Sequence, residues 1–115
     1  MNRQHCYLCV DIGTQSIRTA LVDQNLQIIA VHSDPQQIMT DPVNNQIEVN
    51  IEHVWESVAA GSRDILQKSN LSPSTIAGVC VGAIMHVPVP IDENGTLLLR
   101  QVQIYSDKRC KDYVR

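Results

Sequence analysis

The run Cys6-Tyr7-Leu8-Cys9-Val10 is nearly all apolar and stops at a carboxylate, Asp11, followed by Ile12-Gly13-Thr14-Gln15. No other stretch constrains the fold so tightly. A short apolar run bounded by turn residues fits a strand covered on both faces. Gly13-Thr14-Gln15 then reads as a tight turn. Ser16 to Asp23 alternates, with Ile17, Thr19 and Leu21 on one face and Arg18, Ala20 and Val22 on the other. A return this short forces an antiparallel pair, because a parallel partner needs a long crossover.

The pattern continues in the same sense. Asp23-Gln24-Asn25-Leu26 is a turn, with Asn25 the residue suited to left-handed geometry, and Gln27 to His32 reads as a third strand. The polar stretch from Ser33 to Asn50, with Pro35 and Pro42, reads as a long surface connection that is extended only near Gln46 to Val49. Asn50 is placed to cap a helix from Ile51 to Lys68, with Glu52 in its first turn and Asn70 at its end. Ile51, Val54, Trp55, Val58, Ala59, Ile65 and Leu66 form its apolar stripe, which places Trp55 in the core. Gly61 in that helix implies close packing.

Ser72-Pro73 opens one short turn. Ile76 to Ile84 is apolar on both faces and predicts a central, parallel strand ending at Met85-His86. Pro88 and Pro90 restrict Val87 to Asp92 to an edge or irregular extended piece. Asp92-Glu93-Asn94-Gly95 is a turn, Leu97 to Ile104 is extended, and Tyr105 to Arg109 leads into a charged tail that begins a helix. The sum is an α/β fold with a mixed sheet: an antiparallel three-strand meander, then a helix crossover to a parallel strand. The Gly-x-Gly-x-x-Gly signature of dinucleotide-binding folds is absent.

Composition narrows the partners. The 115 residues suit one domain, residues 1–115, around a single core. With 43% apolar residues but one Trp, three Tyr and no Phe, that core must rest on Val, Ile, Leu and Ala. A net charge of −3 without a basic run disfavours nucleic acid and anionic membranes. No run is long and apolar enough for a membrane span, and Met1 to His5 do not lead into a signal-peptide core. A cytoplasmic protein with reduced cysteines is expected. Cys6 and Cys9 form a C-x-x-C pattern, but three residues apart on a strand they point to opposite faces and cannot share an ion.

Three groups of residues carry possible chemistry. Asp11, at the end of an apolar strand, needs a bound cation or Arg18 as partner. Beside it Gly13 leaves room for a ligand, and Thr14, Gln15 and Ser16 offer the donors a phosphate needs. Spacing alone does not separate this cradle from ordinary turn chemistry. Met85-His86 lies at the carboxyl end of a strand, where α/β sheets bind ligands. Tyr105, Asp107 and Arg109 combine a ring, an acceptor and a donor.

Taken in order, these residues resemble the FGGY carbohydrate kinases of the actin-like ATPase superfamily. Val10-Asp11-Ile12-Gly13-Thr14-Gln15-Ser16-Ile17-Arg18 is similar to that family's first phosphate motif. Gln46-Ile47-Glu48-Val49-Asn50 before a Trp-bearing helix is similar to its x-Glu-x-Asp lead-in, and Tyr105-Ser106-Asp107-Lys108-Arg109 to its Trp-x-Asp-x-Arg segment. The resemblance implies a ribonuclease H-like domain, the first of two that close on ATP and a sugar or polyol. Asp11 would then face Mg2+ and the transferring phosphoryl group. Gly13, Thr14, Gln15, Ser16 and Arg18 would line the ATP phosphates. Met85, His86, Tyr105, Asp107 and Arg109 would stand at the sugar. The xylulokinase-like form reads Gly-Gln-Met-His-Gly where this chain reads Ala83-Ile84-Met85-His86-Val87, and Tyr105 replaces the usual Trp.

Members of that family are several times this length. The resemblance therefore implies part of an N-terminal domain, truncated from a two-domain protein, with the general base and a C-terminal domain elsewhere. Such a piece is expected to be inactive alone, and its docking face is open to self-association, a homodimer being the simplest form. Two other readings compete: a stand-alone binding or regulatory domain, and a ribonuclease H-like nuclease using Asp11 as a metal ligand. The nuclease would need further carboxylates, yet the fourth strand ends in Met85-His86, and Glu52 and Glu56 lie near the helix start.

Overall fold

The computed structural model describes residues 5–113. Met1 to Gln4, part of the segment weighed above as a leader, lie outside the described residues, as do positions 114–115. Strands β1 (Cys6–Ile12), β2 (Ser16–Asp23) and β3 (Ile28–Pro35) form the antiparallel meander. Helix α1 (Ile51–Ser69) crosses over to β6 (Ile76–Ala83), which pairs parallel with β1. The sheet order is β3-β2-β1-β6. The meander, the crossover helix and the parallel strand thus all form as their patterning dictates.

The sides of the sheet follow from alternation. Ile17, Thr19 and Leu21 are buried against α1, which lies over β2 and β3 and scarcely reaches β1. The β2–β3 turn is closed by Asp23, whose Oδ1 accepts from the N–H groups of Asn25 and Gln27. Leu26, not Asn25, takes the left-handed conformation there, at φ 63°.

The polar stretch after β3 is structured, contrary to the reading as a long connection. It forms a hairpin of β4 (Ile38–Asp41) and β5 (Gln46–Asn50). Asp41 turns it, accepting from the N–H groups of Val43 and Asn44, and Asn45 completes it at φ 57°. Asn and Asp mask strand propensity in composition while supplying the turn. Strand β7 (Gln101–Gln103) adds to β5, giving a second sheet ordered β4-β5-β7. Only this short part of the segment from Leu97 to Ile104 is a strand. Val87 to Asp92 is irregular apart from a bridge between Ile91 and Leu97. Residues 105–113 form turns, not the start of a helix.

Two sheets make two small cores instead of the single one expected. Cys6, Leu21 and Ile65 are the buried centre of one; Val49, Val102 and Ile104 are the centre of the other. The prediction that β6 is central fails among the described residues. It is the sheet's edge, and Val79 and Val81 are exposed because α1 does not extend over it.

Trp55 is 71% exposed and is not core. The helix buries Ser57, Gly61 and Ile65, a line of i, i+4, i+8 positions. Two residues from Ser57, at ~100° per residue, Trp55 falls well off that line. Two of these three, Ser57 and Gly61, are small, and there α1 sits close on β2 and β3. A Cβ on Gly61 would collide with Thr19 Oγ1 and come 3.0 Å from His32 Cδ2. The helix ends are as expected: Asn50 Oδ1 accepts from His53 N, and Asn70 terminates α1 at φ 52°.

Candidate functional site

Parallel pairing of β1 with β6 sets two carboxyl ends side by side. Asp11 is in register with Gly82 and Ile12 with Ala83, and Ile84 N donates to Ile12 O at 2.9 Å. Beyond those ends the chain opens into a cavity of about 570 Å³ lined by Asp11, Ile12, Gly13, Thr14, Ala83, Ile84, Met85, His86 and Tyr105. Three segments distant in sequence thus share one wall: the turn after β1, the Met85-His86 bend and the residue after Ile104. Its size is within the usual range for small-molecule sites.

The turn is tightly made. Gly13 N donates to Ser16 O at 2.9 Å, and a Cβ on Gly13 would lie 3.1 Å from the same oxygen. Gln36 holds the turn from β3's end, its Nε2 donating to Gly13 O and its backbone N to Gln15 O. Gly13's own N–H is therefore spent inside the turn. Among the described residues, the N–H groups of Thr14 and Gln15 lie outside these turn bonds, free for an anion.

Asp11 is not starved of water, as its place on an apolar strand had implied: its side chain is 62% exposed. Arg18, its cross-strand partner, stands 3.5 Å away with 57% exposure. A pair so wet contributes little to stability. Both groups stay available, an oxygen donor suited to a hard cation and a guanidinium suited to a phosphate. Gln15, Ser16 and Arg18 flank the cavity without lining it. Among the described residues no group of three or more His, Cys, Asp or Glu side chains is gathered for a metal.

Met85 is 72% exposed, and His86 takes φ 58°, a left-handed backbone uncommon for histidine. The bend turns both residues toward the cavity rather than along the strand. Tyr105 borders the same space.

Asp107 and Arg109 are not among the lining residues of this cavity. They form a structural network. Asp107 Oδ2 accepts from Ile47 N at 2.7 Å, and its Oδ1 accepts from Arg109 N. Arg109 Nη2 donates to Glu48 Oε1 at 2.6 Å. The Arg109 guanidinium holds the Asp107 carboxyl below its usual range, with the Ile47 amide adding to the effect against a desolvation cost. In return, Asp107 and then Glu48 raise the Arg109 pKa. Arg109 and Glu48 instead border a second cavity of about 500 Å³ beside β7. Glu48 was read only as part of a helix lead-in. Its signal was present as a lone acid between the inward-packing Ile47 and Val49 of β5. Gln36, the brace on the turn, gave no local signal.

Comparison with known proteins agrees with this architecture. Residues 6–115 match the N-terminal domain of the FGGY family of carbohydrate kinases. The chain is 26% identical over 114 residues to a glycerol kinase of Agrobacterium fabrum, covering 94% of this chain and 22% of that protein. It superimposes on the xylulose kinase of Rhodospirillum rubrum with a TM-score of 0.78 at 27% identity, over 91% of this chain and 21% of the other. For the gluconate kinase of Lactobacillus acidophilus the TM-score is 0.83 at 21% identity, over 96% and 21%. The chain thus spans about a fifth of the length of these relatives, and its meander-and-crossover sheet is that of the actin-like ATPase fold. It belongs to the FGGY family of carbohydrate kinases.

Proposed function

We propose that this chain is the N-terminal phosphate- and sugar-binding wall of a cytoplasmic kinase that transfers the γ-phosphoryl group of ATP to a sugar or polyol hydroxyl. The observation that carries this reading is the shared cavity, in which the Asp11-Gly13-Thr14 end of β1 meets Met85, His86 and Tyr105. Asp11 holds Mg2+ on the phosphate side, and the ion, when bound, neutralises charge on the phosphate oxygens. The free N–H groups of Thr14 and Gln15, with the Ser16 hydroxyl and Arg18, orient the phosphates. Met85, His86 and Tyr105 receive the polyol, a ring and an imidazole offering an apolar face and a hydrogen-bonding tip. Asp107 and Arg109 act by position, fixing the Tyr105 segment onto β5 through Ile47 and Glu48.

Asp11 is not the general base. It lies on the phosphate side of the cavity, paired with Arg18. Phosphoryl transfer depends on charge stabilisation from all sides and on exclusion of water, and this wall is open. The 115-residue chain alone is therefore expected to show no appreciable sugar phosphorylation.

Amide chemical shifts of the isotopically labelled chain, titrated with Mg-ATP and then with a panel of pentoses, hexoses and polyols, test the assignment. The nucleotide should perturb Thr14, Gln15 and Ser16, and Asp11→Asn should remove the Mg2+-dependent part. A fitting polyol should perturb His86 and Tyr105. Nucleotide shifts centred elsewhere, or turnover by this chain at an ordinary kinase rate, would overturn the proposal.

A further inference from the structure

The sheet has a second face, turned away from α1, and it carries a feature that the phosphate site does not use. Alternation along β1 puts Tyr7, Cys9 and Asp11 on that face, since Cys6 and Val10 are buried on the other. In the parallel ladder Cys9 is in register with Cys80 of β6. Register partners in a sheet project from the same face, so the two thiols stand side by side on neighbouring strands. Both are free; Cys9 is half-buried and Cys80 exposed.

The surroundings leave the pair open. Along β6 the same-face neighbours of Cys80 are Gly78 and Gly82, which have no side chains, and the β2 partner of Cys9 is Ala20. Tyr7 on one side and Asp11 on the other bound a shallow trough floored by backbone. The remaining cysteines are elsewhere: Cys6 is buried on the opposite face, its thiol donating toward Thr75 O, and Cys110 lies in the C-terminal turns.

Adjacent strands are about 4.8 Å apart. Parallel Cβ atoms held at about that spacing are wider than the ~3.5–4.5 Å a disulfide spans. A single atom bonded to both sulfurs fits the gap better than a direct S–S bond does. We propose that Cys9 and Cys80 form a chelating dithiol, a site for a soft thiophilic centre that bonds two sulfurs, of which a monosubstituted trivalent arsenical is the matching class. With phenylarsine oxide, each sulfur forms one As–S bond, and the two thiol protons leave with the arsenic-bound oxygen as one water. Arsenic and sulfur keep their oxidation states, so no oxidant is required.

The pair ties together the two strands whose ends form the cavity, but the inference does not depend on what that cavity binds. The test uses the chain carrying Cys110→Ser, treated with phenylarsine oxide while folded. The expected result is a one-to-one adduct by intact mass, with loss of two titratable thiols. A small dithiol should release it and an excess of a simple monothiol should not. Adding Cys9→Ser or Cys80→Ser should lower affinity at least a hundredfold with unchanged circular dichroism. Release by the monothiol as readily as by the dithiol would overturn the inference without recourse to those variants. So would an adduct that survives Cys80→Ser, or no adduct on the folded chain.

Discussion

His32 Nδ1 lies 2.7 Å from Asp64 Oδ2, joining β3 to α1 at the centre of the helix–sheet seam. Lys68 holds the same carboxylate from one turn on, and Asp34 Oδ1 stands 3.2 Å from His32 Nε2, out of line for a hydrogen bond. The hydrogen bond to Asp64 raises the His32 pKa above its ordinary 6.5 against a desolvation cost, with Asp34 adding charge. Lys68 first, then His32, lower that of Asp64.

The sign of the pH effect follows. A raised histidine pKa contributes stability fully present below about 6.5 and lost as pH rises through the folded value. The depressed Asp64 contributes stability present above its ordinary 3.8 and lost as pH falls through its folded value. Urea midpoints should therefore decline as the pH rises above about 6.5. His32→Gln should flatten that limb; an unchanged slope in the variant would count against the pair.

Gly61→Ala should destabilise the chain although it improves helix propensity by about 1 kcal/mol. The new methyl group would meet Thr19 Oγ1 and the His32 ring, both held in the seam. Overpacking of this kind costs about 1–3 kcal/mol. Denaturant melts should show a net loss, and a gain would mean that the seam is looser than its geometry.

At His86 the backbone, not the side chain, governs stability. With φ at 58° and the imidazole exposed, His86→Gly should be more stable than His86→Ala by about 1 kcal/mol, because only glycine is unstrained there. Equal midpoints for the two variants would show that the bend relaxes. Both should lose the polyol-induced shift at this position.

Asp107→Asn should cost about 1.5–3 kcal/mol, the range for hydrogen bonds to a charged group. Its depressed carboxyl adds stability above the ordinary 3.8 that is lost as pH falls through the folded value. The variant should thus be weakest relative to the parent near neutrality and approach it in acid. Parallel acid titrations of both chains check this.

Much of the first sheet was legible because its physics is local. Asp11 to Arg18, the β2 alternation, the Asn50 and Asn70 caps and the Asp92 turn each depend on a few neighbouring residues. Failures occurred where distant contacts decide. Trp55 fits an apolar stripe, but the line that the seam buries runs through Ser57, Gly61 and Ile65. β6 looks central by composition, yet only β1 pairs with it among the described residues. The β4–β5 hairpin was hidden by Asn, Gln and Pro, and it exists because β7 and the Asp107 network close over it. In the site, Asp11, Gly13, Thr14, Met85, His86 and Tyr105 do converge, while Arg109 finds Glu48 through a register no local pattern encodes.

The parallel pairing of β1 and β6 has a thermodynamic consequence. Between them in sequence lie the other two meander strands, the hairpin and the helix. A molecule that touches both strand ends is therefore a non-covalent clasp on the longest loop of this sheet. By linkage it raises unfolding free energy by RT ln(1 + [L]/Kd). Occupancy of the cavity and closure of the topology are one equilibrium, so a thermal shift induced by ligand would report that β6 has found its place.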